Sequence, residues 1–372
     1  MAVQKILNVG IDFGSSICVI SADNGVRACV PSYVGFPKDM IARKLLGKEF
    51  LRGDDAIKNR LSCNVFRPLE RGVLKYSDQP EENQNNYKQI VWVAQILFTH
   101  LIDLATQGRP QDYIIRACIG APSLANEKNK QALIDLTESI MEGAQIISEP
   151  FAVAYGMNLL SNCLIVDIGG GTIDLCRMQG VYPMVEDQLT LYKAGDYIDN
   201  VFFDLLDAKY PEANYTINML RTLKEGHATI SSPDERIILT LPVSGKPMEL
   251  DLTDELREAC SSIVPDIADA IKYLVSTHDP EFQEELKGNI ILAGGGSQIV
   301  GLCEELEKYM KESLGYGHVT KVSDPVYAGA NGALMYCKDL PEEYWAELKQ
   351  SKIDKSETES ESETKQNKTS KK

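Results

Sequence analysis

Long apolar runs are missing from this chain of 372 residues. The longest candidate, Ile90 to Phe98, is nine residues and contains Gln95, far short of the ~20 that span a bilayer. Positive charge is scarce: 38 Lys and Arg stand against 54 Asp and Glu, a net charge of −16. Nucleic-acid surfaces rely on Lys and Arg clusters, so no nucleic-acid duty is expected. The nine cysteines form no C-x-x-C pair. Cys18, Cys118, Cys163 and Cys176 stand singly in apolar stretches and read as small hydrophobes in a reducing cytoplasm. His100, His227, His278 and His318 share no metal-ligand spacing, which argues against a His or Cys metal centre. Residues Met1 to Leu7 carry no signal-peptide pattern. The G-x-x-x-x-G-K-[ST] loop and the G-x-S-x-G elbow are both absent, and Gly294 to Gly301 does not fit G-x-G-x-x-G. P-loop, nucleophile-elbow and Rossmann chemistries are thereby set aside.

What the chain does have is a repeat. Ile6-Leu7-Asn8-Val9-Gly10-Ile11-Asp12 leads into Phe13-Gly14-Ser15-Ser16 and out through Ile17-Cys18-Val19-Ile20. Cys163-Leu164-Ile165-Val166-Asp167 leads into Ile168-Gly169-Gly170-Gly171-Thr172 and out through Ile173-Asp174-Leu175-Cys176. Each copy is an apolar strand, an aspartate, a turn of small residues and another strand. Phosphate binding needs backbone N–H groups at close range, which glycine permits and hydroxyls supplement. Two such turns can close on a triphosphate from opposite sides, with Asp12 and Asp167 placed to hold hydrated Mg²⁺, a cation that takes oxygen ligands and keeps its waters. A third glycine loop, Gly294-Gly295-Gly296-Ser297, follows the apolar run Asn289 to Ala293.

Strand and helix patterns alternate in the same order in both halves, which indicates a mixed α/β protein. The first half reads as three strands over 6–35, with a hairpin at Asn24-Gly25, a helix over 86–107 and a strand at 113–120. Asn126 is an N-cap for a helix running to Met141. The second half reads as strands from 163 to 192, a helix from Ile198 to Ala208 and a helical stretch over 253–277 broken at Pro265. The expected division is 1–150 plus about 322–348, with an insert over about 36–80, and 151–321, with an insert over about 200–255. Residues 349–372 are almost wholly polar and read as a disordered tail, either solubilising or partner-docking.

Several segments resemble, in order, the motifs of the actin, Hsp70 and sugar-kinase ATPase superfamily. Asp12 to Ser16 and Asp167 to Thr172 are similar to its two phosphate motifs, and Leu292 to Ser297 to its adenosine motif. Gly120-Ala121-Pro122, Glu149-Pro150 to Gly156, and Asp324-Pro325 through Gly329 and Gly332 are similar to its connecting segments. The resemblance covers about 6–340. It implies an actin-like fold of duplicated ribonuclease-H-like domains with ATP or ADP and Mg²⁺ in the cleft between them.

The same resemblance implies roles. Glu149 is similar to the glutamate that positions the attacking water in bacterial actins, although a Glu-Pro at a helix start can also be simply a favourable charge on the helix dipole. Asp12, Glu149 and Asp167 form the expected catalytic set. Gly14, Ser15, Ser16, Gly169, Gly170, Gly171 and Thr172 would grip phosphates, and Gly294, Gly295, Gly296 and Ser297 would lie against the nucleoside. Gly195-Asp196 resembles a ribose-contacting turn and Lys224-Glu225 a helix flanking the adenine, where a surface ion pair is the competing reading.

Segments outside the clamp, among them Val34 to Asp39, Lys44 to Gly47, Glu186 to Leu191, Lys193 to Asp199 and Leu340 to Trp345, resemble the actin-like filament proteins of magnetotactic bacteria. That branch implies a cytoplasmic ATPase whose head-to-tail filaments position magnetosomes through adaptor proteins. The alternative is a soluble small-molecule kinase of the same superfamily, for which neither insert offers an acceptor site. An Hsp70-type chaperone would need a peptide-binding domain where the polar tail stands.

Overall fold

The computed structural model describes residues 4–348 except 139 and 233–235; the polar tail lies outside the described residues. The first repeat builds a sheet from Lys5–Phe13 (β1), Ile17–Ala22 (β2), Arg27–Pro31 (β3), Tyr113–Ala121 (β4) and Gly143–Ser148 (β5), in the order β5-β4-β1-β2-β3. Strands β1, β2 and β3 pair antiparallel, while β4 and β5 extend the sheet in parallel. The hairpin expected at Asn24-Gly25 joins β2 to β3, with Gly25 at φ 88.

The second repeat builds the same sheet again. Ser161–Ile168 (β6), Ile173–Gln179 (β7), Gln188–Leu191 (β8), Ile290–Ala293 (β9) and Val319–Lys321 (β10) run in the order β8-β7-β6-β9-β10. Here too the first three strands are antiparallel and the last two parallel. In each sheet the repeated aspartate lies near the carboxyl end of the central strand: Asp12 pairs in register with Gly120, and Asp167 with Ala293.

Helices cover the sheets. Gln84–Ala105 (α1) buries Ile90, Val93, Leu97 and Leu101 at helical spacing in the core of the first sheet. Glu127–Thr137 (α2) is capped by Asn126, whose side chain accepts from the Asn129 N–H. It stops short of Met141, because the chain must turn there to enter β5 at Gly143. On the second sheet lie Gly195–Lys209 (α4), Ile217–His227 (α5), Thr253–Ser261 (α6), Val264–Ser276 (α7) and Leu302–Leu314 (α8). The break at Pro265 separates α6 from α7, and the proline sits in the first turn of α7, where its missing N–H leaves no bond unmade. Helix α4 begins at Gly195, three residues before the expected Ile198. The first insert carries a three-stranded sheet of Leu51–Arg52, Val34–Pro37 and Cys63–Phe66. The second carries the hairpin Ile238–Val243 with Lys246–Asp251.

Two helices join the halves. Glu149–Gly156 (α3) leaves β5, and Ala328–Asp339 (α9) returns from the second sheet to lie against β1. A shared core packs Cys118 and Ile147 of the first sheet and Ile165, Cys176 and Ile291 of the second around Phe151, Ala152 and Ala333 of these helices. The two helices touch at glycines: a Cβ on Gly332 would lie 1.7 Å from the Ala152 carbonyl oxygen. Backbone cannot retreat as a side-chain tip can, so Gly332→Val is expected to cost about 3 kcal/mol or more, read as a lowered Tm by calorimetry; an unchanged Tm contradicts this packing.

Candidate functional site

The two repeated turns face each other across a cleft of about 970 Å³. Their opposition is close. A Cβ on Gly170 would lie 2.1 Å from Ser16 Oγ, and one on Gly171 2.7 Å from Ser15 Oγ. The third loop completes the enclosure: Gly294 takes φ +74, and a Cβ there would fall 2.3 Å from Asp167 Oδ1. Only glycine fits that approach and that dihedral. The cleft lies beyond the carboxyl ends of the parallel strands, where open α/β sheets bind ligands.

Three carboxylates, Asp12, Glu149 and Asp167, line its floor, and a fourth, Asp174, is buried close by. Asp12 and Asp167 come from the ends of β1 and β6, Glu149 is the first residue of α3, and Asp174 sits in β7 opposite Asp167. Burial, then the charge of Asp174, pushes Asp12 up to about 6. Burial and the neighbouring aspartates also push Glu149 and Asp167 well above the usual carboxylate range. Asp174 is raised by burial and held back by hydrogen bonds, accepting from the Ser123 N–H at 2.7 Å and Thr190 Oγ1 at 2.6 Å. No ion pair reaches these carboxylates among the described residues, and their donors are all oxygen, which suits Mg²⁺. Among the described residues no group of three or more His, Cys, Asp or Glu is arranged to hold an ion directly. The fit is therefore to a hydrated ion held through its waters.

The side where the nucleoside was expected is built on a charge network. The Gly195 and Asp196 N–H groups donate to the Gly169 and Gly170 carbonyls at 3.1 and 2.7 Å, tying the expected ribose turn to the second phosphate turn. Lys224 lies in the cleft wall, yet its ammonium is 2.6 Å from the buried Asp199 and donates to the Gly195 carbonyl at 2.7 Å. It thus supports the turn as well as lining the cavity. Glu225 also lines the cleft and is exposed. Ser297 is 1% exposed and donates to the Gly294 carbonyl at 2.7 Å, so its hydroxyl closes the glycine loop from beneath.

Three residues of the site escaped the sequence reading. Asp174 lies within the second repeat, but β7 is buried on both faces, so alternation could not mark it. Arg221 stands one helical turn before Lys224 on α5, a spacing that could have revealed it. It reaches Asp199 at 2.7 Å, Asp196 at 3.0 Å and the Tyr33 hydroxyl at 2.5 Å. Arg67, in the first insert, reaches Asp196 at 2.6 Å and Ser16 Oγ at 3.1 Å. Nothing in its local pattern signalled that role. Replacing Lys224 by alanine would leave Asp199, 1% exposed, with one cation fewer. Breaking a buried pair costs about 3 kcal/mol, so Lys224→Ala is expected to lower both Tm and nucleotide affinity; wild-type values for both would contradict the network.

Comparison with known proteins places the chain. A family model described as MreB/Mbl protein matches residues 7–343. The actin-like protein MamK of Paramagnetospirillum magneticum is 38% identical over 92% of this chain and 95% of its own length. That of Magnetospirillum gryphiswaldense is 36% identical, covering 92% of each chain. Among solved structures, a MamK double helical filament superposes with a TM-score of 0.84 at 34% identity, covering 91% of this chain and all of its own. A non-polymerising MamK mutant bound to AMPPNP superposes at 0.66, with 34% identity over 91% of this chain and all of its own. The fold is thus the actin-like one that the resemblance implied, and the chain belongs to the MreB/Mbl family, among its MamK-like members.

Proposed function

We propose that the chain is a filament-forming, actin-like cytoskeletal protein that hydrolyses ATP to ADP and phosphate to control the turnover of its polymer. The observation that carries this reading is the opposition of the two glycine turns over Asp12, Glu149 and Asp167 in the cleft between duplicated sheets. The relatives support it: one forms a double helical filament, and another, a non-polymerising mutant, binds AMPPNP. Likeness to filament proteins over nearly the whole chain leaves the small-molecule kinase without support. Kinship with the MamK proteins, and the resemblances outside the clamp, support filaments that position magnetosomes in the cytoplasm through adaptor proteins. Among the described residues no helix is long and apolar enough to cross a membrane.

The residues divide the work of phosphoryl transfer, which needs positioning and electrostatics more than covalent help. Backbone N–H groups of Gly14–Ser16 and Gly169–Thr172, with the hydroxyls of Ser15, Ser16 and Thr172, would hold the phosphates from two sides. Asp12 and Asp167 would hold hydrated Mg²⁺, which when bound neutralises charge on the phosphate oxygens. Glu149, at the head of α3, would orient the water for in-line attack. Because α3 also joins the two halves, the group that senses the γ-phosphate stands on the element that transmits closure.

Sedimentation with Mg-ATP alongside phosphate release tests the reading. Pelleting with ATP but not with ADP is expected; phosphorylation of a small acceptor without polymer would sink it. Glu149→Ala is expected to keep nucleotide while phosphate release slows about 100-fold, leaving filaments that persist. Normal hydrolysis by that variant would remove Glu149 from its assigned role.

A further inference from the structure

Beside the nucleotide cleft lies a second cavity, of about 280 Å³, to which the proposed reaction assigns no task. Asp196 and Arg221 line both spaces, so their side chains form the partition between them. The first insert supplies the other wall, through Arg67, Glu70 and Lys75. Glu70 belongs to the small hairpin of Leu69–Glu70 with Val73–Leu74, and Lys75 follows it directly. The volume falls below the roughly 300–1,000 Å³ that drug-sized ligands fill, so the cavity suits a small occupant.

Charge decides which kind of occupant. Asp199, also in the wall, takes Arg221 Nε at 2.7 Å and Lys224 Nζ at 2.6 Å. Asp196 takes Arg67 Nη2 at 2.6 Å and Arg221 Nη2 at 3.0 Å. Three cations therefore answer two carboxylates. Lys75 adds a fourth: it is half-buried and forms no ion pair among the described residues. Glu70, which is exposed, is the only further carboxylate of the lining. The cavity thus carries an excess of positive charge in a chain of net charge −16. It also holds unspent donors. Arg67 gives Nε to the Ser15 carbonyl and Nη2 to Ser16 Oγ and Asp196, which leaves Nη1 without a partner among the described residues. A guanidinium edge with an ammonium beside it is the donor set that a tetrahedral oxyanion takes.

We propose that this cavity is a second oxyanion site, where the inorganic phosphate released by hydrolysis is held by Arg67 and Lys75 before it escapes. The inference rests on the hydrolysis reading and adds a resting place for its product. Ser16 of the first phosphate turn accepts from Arg67 at 3.1 Å, so the cavity begins one side chain beyond the position assigned to the phosphates. Passage needs the Arg67–Asp196 pair to part, and Arg221 remains on Asp196 when it does. A gap that merely separates two ion-paired walls would need two cations for its two buried-side carboxylates. It would account neither for Lys75 nor for the unused edge of Arg67.

The test titrates inorganic phosphate by calorimetry into the full chain saturated with Mg-AMPPNP, so that the triphosphate position is already filled. The wild type is expected to bind one phosphate. Lys75→Glu is expected to weaken that binding about tenfold and to keep wild-type affinity for AMPPNP, which also certifies its fold. Lys75→Gln should fall between the two, and Lys75→Arg should restore binding. In a single turnover of ATP, release of phosphate to a fluorescent phosphate-binding probe should lag behind cleavage measured by acid quench. Lys75→Glu should shorten that lag. No phosphate uptake by the nucleotide-filled wild type, or equal uptake by Lys75→Glu, overturns the inference and leaves the hydrolysis reading standing. Uptake with an unchanged lag makes the cavity a site for phosphate from solution and overturns its place on the exit route. Absence of ATP cleavage by the wild type overturns both readings.

Discussion

Four carboxylates drawn together at the base of one cleft, three of them lining it and Asp174 buried close by, are the constraint around which this molecule is arranged. Asp12, Glu149, Asp167 and Asp174 repel one another where burial already penalises charge, and a fold does not gather them without a use for the field they make. A hydrated divalent cation bound to a triphosphate matches that field. On the proposed reading, the facing glycine turns would supply what the carboxylates cannot, backbone donors for the phosphates themselves. Duplication explains how both arise at once: each sheet brings an aspartate to the end of its central strand and a turn of small residues after it.

The cleft is also where the first insert is fastened to both walls. Ser15 Oγ accepts from the Gly72 N–H at 2.8 Å, and Arg67 of the first insert and Tyr33, just before it, reach Asp196 and Arg221 across the opening. The hydroxyls assigned to phosphate therefore also hold the insert, and the aspartate assigned to ribose holds it to the opposite wall. A nucleotide that competes for these groups shifts the balance between closed and open forms only by its differential affinity for the two. The glycine contact between α3 and α9 brings the backbones of the two joining helices together.

Much of this was legible in the sequence. The strand, aspartate and glycine grammar is local, so the paired glycine turns and the duplicated α/β order could be read from residue types alone, and Asn24-Gly25, Asn126 and Pro265 marked their turn, cap and break. The charge network was not legible, because its members are brought together by the tertiary fold. Arg67 and Asp196 are 129 positions apart, and no periodicity links them. Lys224 and Glu225 were visible as a pair, but adjacent residues on a helix point apart: Lys224 turns in to Asp199 and Glu225 turns out. Nor could Ser297 be told from its glycine neighbours, since a hydroxyl that closes a loop and one that meets a ligand look alike in sequence.

The central claim is that the cleft recognises a triphosphate and its cation together. Calorimetric titration of ATP into the full chain, with Mg²⁺ and again with EDTA, tests it most directly. Binding that is strong with Mg²⁺ and markedly weaker with EDTA, with that difference abolished in Asp12→Asn/Asp167→Asn, is the predicted result. ATP binding indifferent to Mg²⁺, or absent altogether, would contradict it.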